Sequence, residues 1–225
     1  MIPCDGAQQS NLYNDAPPMR LNLDQSTVHD FLGSLAAKTP TPGGGAVASI
    51  GAALAAALGQ MVLNYSIGKK SLAAHDAANR QALETLQRLG HEAIELAEAD
   101  ARAYGQLNEL WKLKDDDPRR VREFPGAVDA AIAAPRAVMD CSLRVLDLML
   151  KMPETTNAML KSDLAIAAIL ADAAVRAAAW NVRINLPLLT DQSQRMETHA
   201  SMASQLAQSH EACALIEKAC AVPMD

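Results

Sequence analysis

The longest charge-free stretch of the chain runs from Thr39 to Gly68, and its centre, Ala46 to Leu63, consists almost wholly of Ala, Gly, Leu, Ile, Val and Met. A segment apolar on every side predicts a helix buried in a core. Gly51, Ala55 and Gly59 recur at four-residue spacing, so one face is small enough for a neighbouring helix to approach closely, inside a bundle or against a second subunit. Eighteen residues is also a length that can span a bilayer,. Its high Ala and Gly content, the internal Ser49 and Gln60, and the lack of an aromatic belt or flanking charge asymmetry argue against a membrane,.

The remaining pattern is helical throughout. Ser26 or Thr27 can cap a short helix over Val28–Ala37 with Phe31, Leu32 and Leu35 on one face,. Leu83, Leu86, Leu89, Ile94 and Leu96 predict a long amphipathic helix over about Ser71–Leu113,. Lys112–Arg122 reads as a charged loop broken by Pro118. A further helix is expected from near Pro125 to Leu150, kinked or divided at Pro135,. After a loop at Pro153–Asn157, Ser162 or Asp163 can cap a second alanine-rich helix from Leu164 to about Asn181, which Pro187 stops soon after,. Gln192–Ala221 reads as a last amphipathic helix carrying Met202, Leu206, Leu215 and Ile216. No segment reads as a strand. The expected architecture is an all-α, single-domain helical bundle over residues 21–225, behind a polar arm at residues 1–20 that ends in Pro17-Pro18.

Composition narrows the picture. Half of the 225 residues are hydrophobic but only 3% are aromatic, so the core must be built from Ala, Leu, Ile and Val. A net charge of −6 argues against nonspecific nucleic-acid binding,. Cys4, Cys141, Cys213 and Cys220 form no CxxC pair, which fits reduced thiols and a cytoplasmic protein,. The N-terminus lacks the basic-then-apolar pattern of a signal peptide,. His75 and His91 have no partner at metal-ligand spacing, and no GxSxG or HExxH pattern occurs.

Candidate chemistry is confined to a few polar places. Pro40, Pro42 and Gly43–Gly45 make a stiff turn whose glycines admit close backbone approach and whose N–H groups can face an anion at a helix start,. With no strand before it and no Lys-Ser/Thr after it, the turn is neither a P-loop nor a dinucleotide fingerprint; a tight entry into a crowded helix explains it equally well. Polar islands lie at Asn64–Lys70, Asp100–Tyr104, Lys161–Asp163 and Asn181–Asn185. Polar groups at the ends of buried helices need partners or a ligand. The ordinary alternatives are helix caps, solvated helix ends and internal ion pairs.

The pieces TPTPGGG, NYSIGKK, KSDLAIAA and NVRINL, in this order and spacing, resemble the cyclodeaminase/cyclohydrolase family over roughly Leu23–Met202. That family comprises the C-terminal domain of formiminotransferase-cyclodeaminase and free-standing bacterial methenyltetrahydrofolate cyclohydrolases. The resemblance implies an all-helical fold that dimerises, a reduced folate substrate with or without a polyglutamate tail, and no metal or redox cofactor. It implies catalytic roles for Asp163, Tyr65 and Lys69. It implies substrate contacts from Gly43, Gly44, Gly45, Asn64, Lys70, Asp100, Lys161, Asn181, Arg183 and Asn185. Arg183 suits a bidentate clamp on the glutamate carboxylate, and Asp163 suits proton transfer or the cationic substrate. Two reactions fit, both passing through a tetrahedral carbon between N5 and N10: hydrolysis of 5,10-methenyltetrahydrofolate to 10-formyltetrahydrofolate, and cyclodeamination of formimidoyltetrahydrofolate with release of ammonia. The short arm ahead of the matched region favours the first. A non-catalytic helical dimer that binds folate or a protein partner is the third expectation.

Overall fold

The computed structural model describes residues 26–221, and all regular structure among them is helical. The expected arm over residues 1–20 lies outside the described residues. Among the described residues six α-helices follow one another: α1 (Val28–Ala36), α2 (Gly44–Asn64), α3 (Asp76–Trp111), α4 (Pro118–Met149), α5 (Lys161–Asn185) and α6 (Gln192–Cys220), with short 3₁₀ segments at Lys70–His75, Ala158–Leu160 and Leu186–Leu188. Helix α1 is closed by a full capping box between Thr27 and Asp30 but has no buried residue,.

The apolar helix α2 is central, packing on α3, α4 and α5. It is long and apolar enough to cross a membrane by length and composition, yet half of that stretch is buried inside the bundle. Its small residues serve contacts within the chain. A Cβ on Gly59 would lie 2.8 Å from both Leu86 Cδ1 of α3 and Met149 Cε of α4, and one on Gly51 would lie 3.6 Å from Ala174 Cβ of α5. Gly45 meets Asp100 where Gly59 meets Leu86, so α2 and α3 are antiparallel; Gly44 meets Asn181 where Gly51 meets Ala174, so α2 and α5 are antiparallel too. Leu63, Leu86, Leu146, Met149, Leu164 and Ile216 fill one half of the core; Leu107, Leu110, Met139, Val182 and Met202 fill the other.

Several boundaries differ from the sequence expectation for local reasons. Pro118 does not break a loop; it is the first residue of α4, and the Asp117 carboxylate accepts the Arg119 N–H at 2.8 Å. Pro at the first helical position loses nothing, because that N–H has no intrahelical acceptor. Helix α4 continues through Pro125 and Pro135. Helix α5 is entered through a 3₁₀ turn, so Ser162 and Asp163 fall inside its first turn and neither caps it. Asp163 there meets the positive end of the helix dipole. Helix α3 begins later than Ser71, at Asp76, whose carboxylate accepts the Gly68 N–H at 2.7 Å; Gly68 has φ +80°. On α6, Met202 and Ile216 are buried whereas Leu215 is half exposed on the outer side.

Candidate functional site

The antiparallel packing sorts the candidate residues into two groups at opposite ends of the bundle. One end holds Gly43–Gly45 at the start of α2, Asp100 on α3, and Asn181, Arg183 and Asn185 at the close of α5. The other holds Asn64, Tyr65, Lys69 and Lys70 beyond the end of α2, and Lys161 and Asp163 at the start of α5. Asp163 and Asn181 share one face of α5, five turns and ~27 Å apart at 1.5 Å per residue. Within one chain these groups are not neighbours.

The first end contains unpaired polar groups. The Asp100 carboxylate lies directly over Gly45: a Cβ there would fall 1.9 Å from Oδ2 and 2.2 Å from Cγ. Glycine at this position is therefore what lets the carboxylate occupy its place. Among the described residues no side chain or backbone group donates a hydrogen bond to Asp100, and burial pushes its carboxyl above the usual carboxylate range,. Beside it, Asn181 Oδ1 would lie 3.5 Å from a Cβ on Gly44, and Asn181 Nδ2 is buried without a partner. Ser49, fully buried, also has an unpartnered Oγ; it stands one turn from Gly45 on the same face of α2. Gly43 caps α2 and, having no side chain, offers no acceptor to the first N–H groups of the helix,. Among the described residues, two of the three buried side-chain atoms without a partner, Ser49 Oγ and Asn181 Nδ2, lie at this end. An acceptor, a donor and free backbone N–H groups converge where an apolar bundle would otherwise bury none of them.

Asn185 has a structural task instead. Pro135 has no N–H, which deprives the Ala131 carbonyl four residues earlier of its helical donor. Asn185 Nδ2 supplies the missing bond at 3.1 Å and also donates to the Asn181 carbonyl at 3.1 Å. The amide thus locks the close of α5 to α4 and fixes the backbone that carries Asn181. Arg183 is exposed, with its guanidinium 4.9 Å from the ring of the equally exposed Trp180. The sequence reading noted Ser49 only as a polar break in the apolar run and did not name Trp180; neither type nor spacing marks either as a site residue.

At the far end, Lys161 Nζ donates to the Ala219 carbonyl at 3.0 Å and thereby caps α6,. Tyr65, Lys69 and Lys70 are exposed, and Asp163 is partly buried. Ser66 ties this end together, donating to the Val62 carbonyl at 2.6 Å and accepting the Asn157 N–H at 2.8 Å. A cleft of about 260 Å³ between α4 and α6, lined by Asp129, Arg136, Gln194, Glu197 and Thr198 among others, contains none of the candidate residues. No group of three metal-ligating side chains occurs among the described residues. Cys141 and Cys213 are buried and their thiols are pushed up by desolvation, to about 11 and about 12, which makes them poor nucleophiles,.

Comparison with known proteins gives this geometry a context. The profile of the family described as Formiminotransferase-cyclodeaminase matches residues 27–204. The chain is 33% identical over 195 residues to a formimidoyltransferase-cyclodeaminase of Gallus gallus, an alignment covering 83% of this chain but 35% of that protein. It is 35% identical over 175 residues to a methenyltetrahydrofolate cyclohydrolase of Methylorubrum extorquens, covering 74% of this chain and 82% of the relative. The crystal structure of a formiminotetrahydrofolate cyclodeaminase from Thermotoga maritima superimposes with a TM-score of 0.81 at 26% identity, over 88% of this chain and 96% of that one. The chain thus spans about a third of the length of the animal relative and most of the length of the bacterial ones.

Proposed function

The chain belongs to the formiminotransferase-cyclodeaminase family, and we propose from this that it is a folate one-carbon enzyme hydrolysing 5,10-methenyltetrahydrofolate to 10-formyltetrahydrofolate. The observation that carries the reading is the set of unpaired groups at the start of α2. The buried Asn181 Nδ2 and the free N–H groups of Gly43–Gly45 offer donors, and Asp100 offers an anionic acceptor. A pterin edge needs both kinds of partner, and the amidinium of the methenyl substrate carries the positive charge that an unpaired carboxylate lacks. The alignment to the bacterial cyclohydrolase, which covers most of both chains, supports the hydrolytic reading. Cyclodeamination of formimidoyltetrahydrofolate is the second reading, favoured by the fold match to the Thermotoga maritima protein.

The reading includes a homodimer. The outward face of α2 repeats Val47, Ile50, Leu54, Ala57 and Met61 at alternating steps of three and four, the spacing of a helix-packing seam,. Val47 is 43% and Leu54 54% exposed; on α5 beside it Ile166 is 49%, Ile169 46% and Trp180 68% exposed. No residue of α2 is charged. Two such helices side by side, each ~30 Å long and ~10 Å wide, present roughly 600 Å² in projection. That approaches the ~800 Å² of accessible surface per partner in a standard interface. A second copy of the chain is the occupant with a matching face. A two-fold axis perpendicular to the seam sets the Tyr65, Lys69 and Asp163 end of one copy against the Asp100 and Asn181 end of the other. In that arrangement Asp163 supplies a second carboxylate and Lys69 or Lys70 meets the glutamate tail. Arg183, exposed on Trp180 at the close of α5, is a further guanidinium for the same tail. The buried free thiols suit a reducing, cytoplasmic setting,.

The test is loss of the methenyl chromophore of 5,10-methenyltetrahydrofolate at neutral pH, corrected for spontaneous hydrolysis. Protein-dependent loss is expected. No loss, together with ammonia release from formimidoyltetrahydrofolate, would select the second reading; inertness toward both would overturn the enzyme assignment.

A further inference from the structure

We propose that Asn185 is a positioning residue for the site at the start of α2: its amide docks on the carbonyl that Pro135 strips of a donor, and so holds the close of α5 where Asn181 can reach a ligand. The inference rests on the folate reading above. Helix α4 contains two internal prolines, and each leaves the carbonyl four residues earlier without a helical donor,. The carbonyl opened by Pro125 belongs to Val121, a residue 63% exposed, where water can serve it. The one opened by Pro135 belongs to Ala131, in the core at 6% exposure. Among the described residues only Asn185 Nδ2 serves it, at 3.1 Å. The same Nδ2 donates to the Asn181 carbonyl at 3.1 Å. One amide group thus joins the backbone of α4 to the backbone of the residue whose side chain enters the site.

No other directional contact fixes this end of α5. Among the described residues the remaining side-chain hydrogen bonds between α5 and its neighbours go to α6, from Lys161 to the Ala219 carbonyl and from Ser209 to Asp172. The packing around the tie is of small residues: Ala178, Ala179 and Val182 of α5 share one apolar cluster with Ala127, Val128 and Ala131 of α4 and Ala48 of α2. Short side chains make shallow ridges, so they bring helices close without fixing how far one slides along another. A satisfied buried polar tie supplies that register. The tolerance at Asn181 is small. Its Oδ1 would lie 3.5 Å from a Cβ on Gly44, and its Nδ2 is buried with no partner. Asn181 stands one turn before Asn185 on the same face of α5, so a slide of this helix end carries the donor with it, and a misplacement of ~1 Å is enough to impair a site. Asn185 touches no substrate in this scheme; it acts through Asn181.

The experiment measures the Kd of 5-formyltetrahydrofolate, KM and kcat for 5,10-methenyltetrahydrofolate, and melting curves on the full chain. The proteins are wild type, Asn185→Leu, Pro135→Ala, Asn181→Ala, and the pairs that combine Asn185→Leu with each of the other two. Asn185→Leu is expected to raise Kd and KM by about tenfold, the scale of one well-placed hydrogen bond. In the Pro135→Ala chain, where the restored N–H serves the Ala131 carbonyl, Asn185→Leu should cost much less in Tm yet the same factor in Kd. In the Asn181→Ala chain it should change Kd by less than about threefold, since the donor it places is gone. A loss of kcat alone, with KM and Kd unchanged, is what a smaller folded fraction gives and would overturn the proposal. So would recovery of Kd together with Tm in the Pro135→Ala chain, or an undiminished effect in the Asn181→Ala chain. If Asn185→Leu alone does not fold, its pair with Pro135→Ala is compared with Pro135→Ala under the same criteria. A wild type that neither binds 5-formyltetrahydrofolate nor turns over either folate substrate overturns the folate reading and this inference with it. A wild type that binds, beside an Asn185→Leu that binds equally well, overturns this inference alone.

Discussion

Gly45→Ala is the most demanding single substitution for this account, because its consequence can be worked out from the structure. The new methyl carbon would start 1.9 Å from Asp100 Oδ2, and real Cβ atoms essentially never approach closer than 3.0 Å, so the carboxylate must retreat by at least about 1.1 Å. Misplacing a catalytic group by about 1 Å costs on the order of 10²-fold in rate. The effect on stability should be much smaller. Alanine gains up to about 1 kcal/mol over glycine within a helix. Overpacking in a rigid core costs about 1–3 kcal/mol, but here the obstacle is the end of a side chain that can swing toward solvent and regain hydration. The net stability change should stay within about 1 kcal/mol, a few degrees in Tm. The assay is chromophore loss from 5,10-methenyltetrahydrofolate beside a thermal melt. A rate within about threefold of wild type would refute the placement of the site. A rate loss that merely tracks unfolding would refute the argument that the glycine serves the carboxylate.

Other expectations follow from particular contacts. Burial raises the folded-state pKa of Asp100 above its unfolded value, so its ionisation costs stability progressively as pH rises from the unfolded toward the folded pKa. Asp100→Asn should accordingly gain more stability over wild type at pH 7 than at pH 4 in denaturant titrations, and an equal difference at both would contradict the unpaired carboxylate. Asn185→Leu should destabilise by about 1–3 kcal/mol by orphaning the Ala131 carbonyl,. In a Pro135→Ala background, where the new N–H can serve that carbonyl, the cost should shrink, and an unchanged cost in the double-mutant cycle would break the argument. Leu54→Glu with Ile169→Glu should turn a two-chain sedimenting species into a one-chain species; a wild type that already sediments as one chain would refute the seam. Mixing Asp100→Asn with Asp163→Asn copies should restore about a quarter of wild-type turnover, since half the dimers then hold one intact shared site. Zero recovery after subunit exchange would confine each site to one chain.

Much of the fold was legible because helical signals are local. The apolar run of α2, the Thr27 cap and the leucine stripe of α3 all lie within a few residues of what they specify. The misread boundaries were local too: Asp117-Pro118 is a cap followed by a first helical residue, and the charges around it suggested a loop. The small-residue spacing at Gly51, Ala55 and Gly59 was seen, but sequence alone leaves open whether it faces its own bundle or a second chain. Gly51 and Gly59 face their own bundle, on Ala174 and on Leu86 and Met149, while the outward seam uses Val47, Ile50, Leu54 and Met61. The candidate site was legible only as fragments. Asp100 was visible as the start of a polar island and an implied substrate contact; that it sits over Gly45 depends on residues 55 positions apart. The pairing of Asn185 with the Ala131 carbonyl opened by Pro135 spans 54 residues and has no sequence signature.

The most direct measurement is a crystal structure of the protein with bound 5-formyltetrahydrofolate, a stable relative of substrate and product. The account predicts the pteridine against Gly44 and Gly45, with Asn181 Nδ2 within hydrogen-bond distance of a ring acceptor and the Asp100 carboxylate beside the N5–N10 region. A folate lodged in the α4–α6 cleft, or held at the Lys69 and Asp163 end with no contact to Asp100 or Asn181, would contradict it.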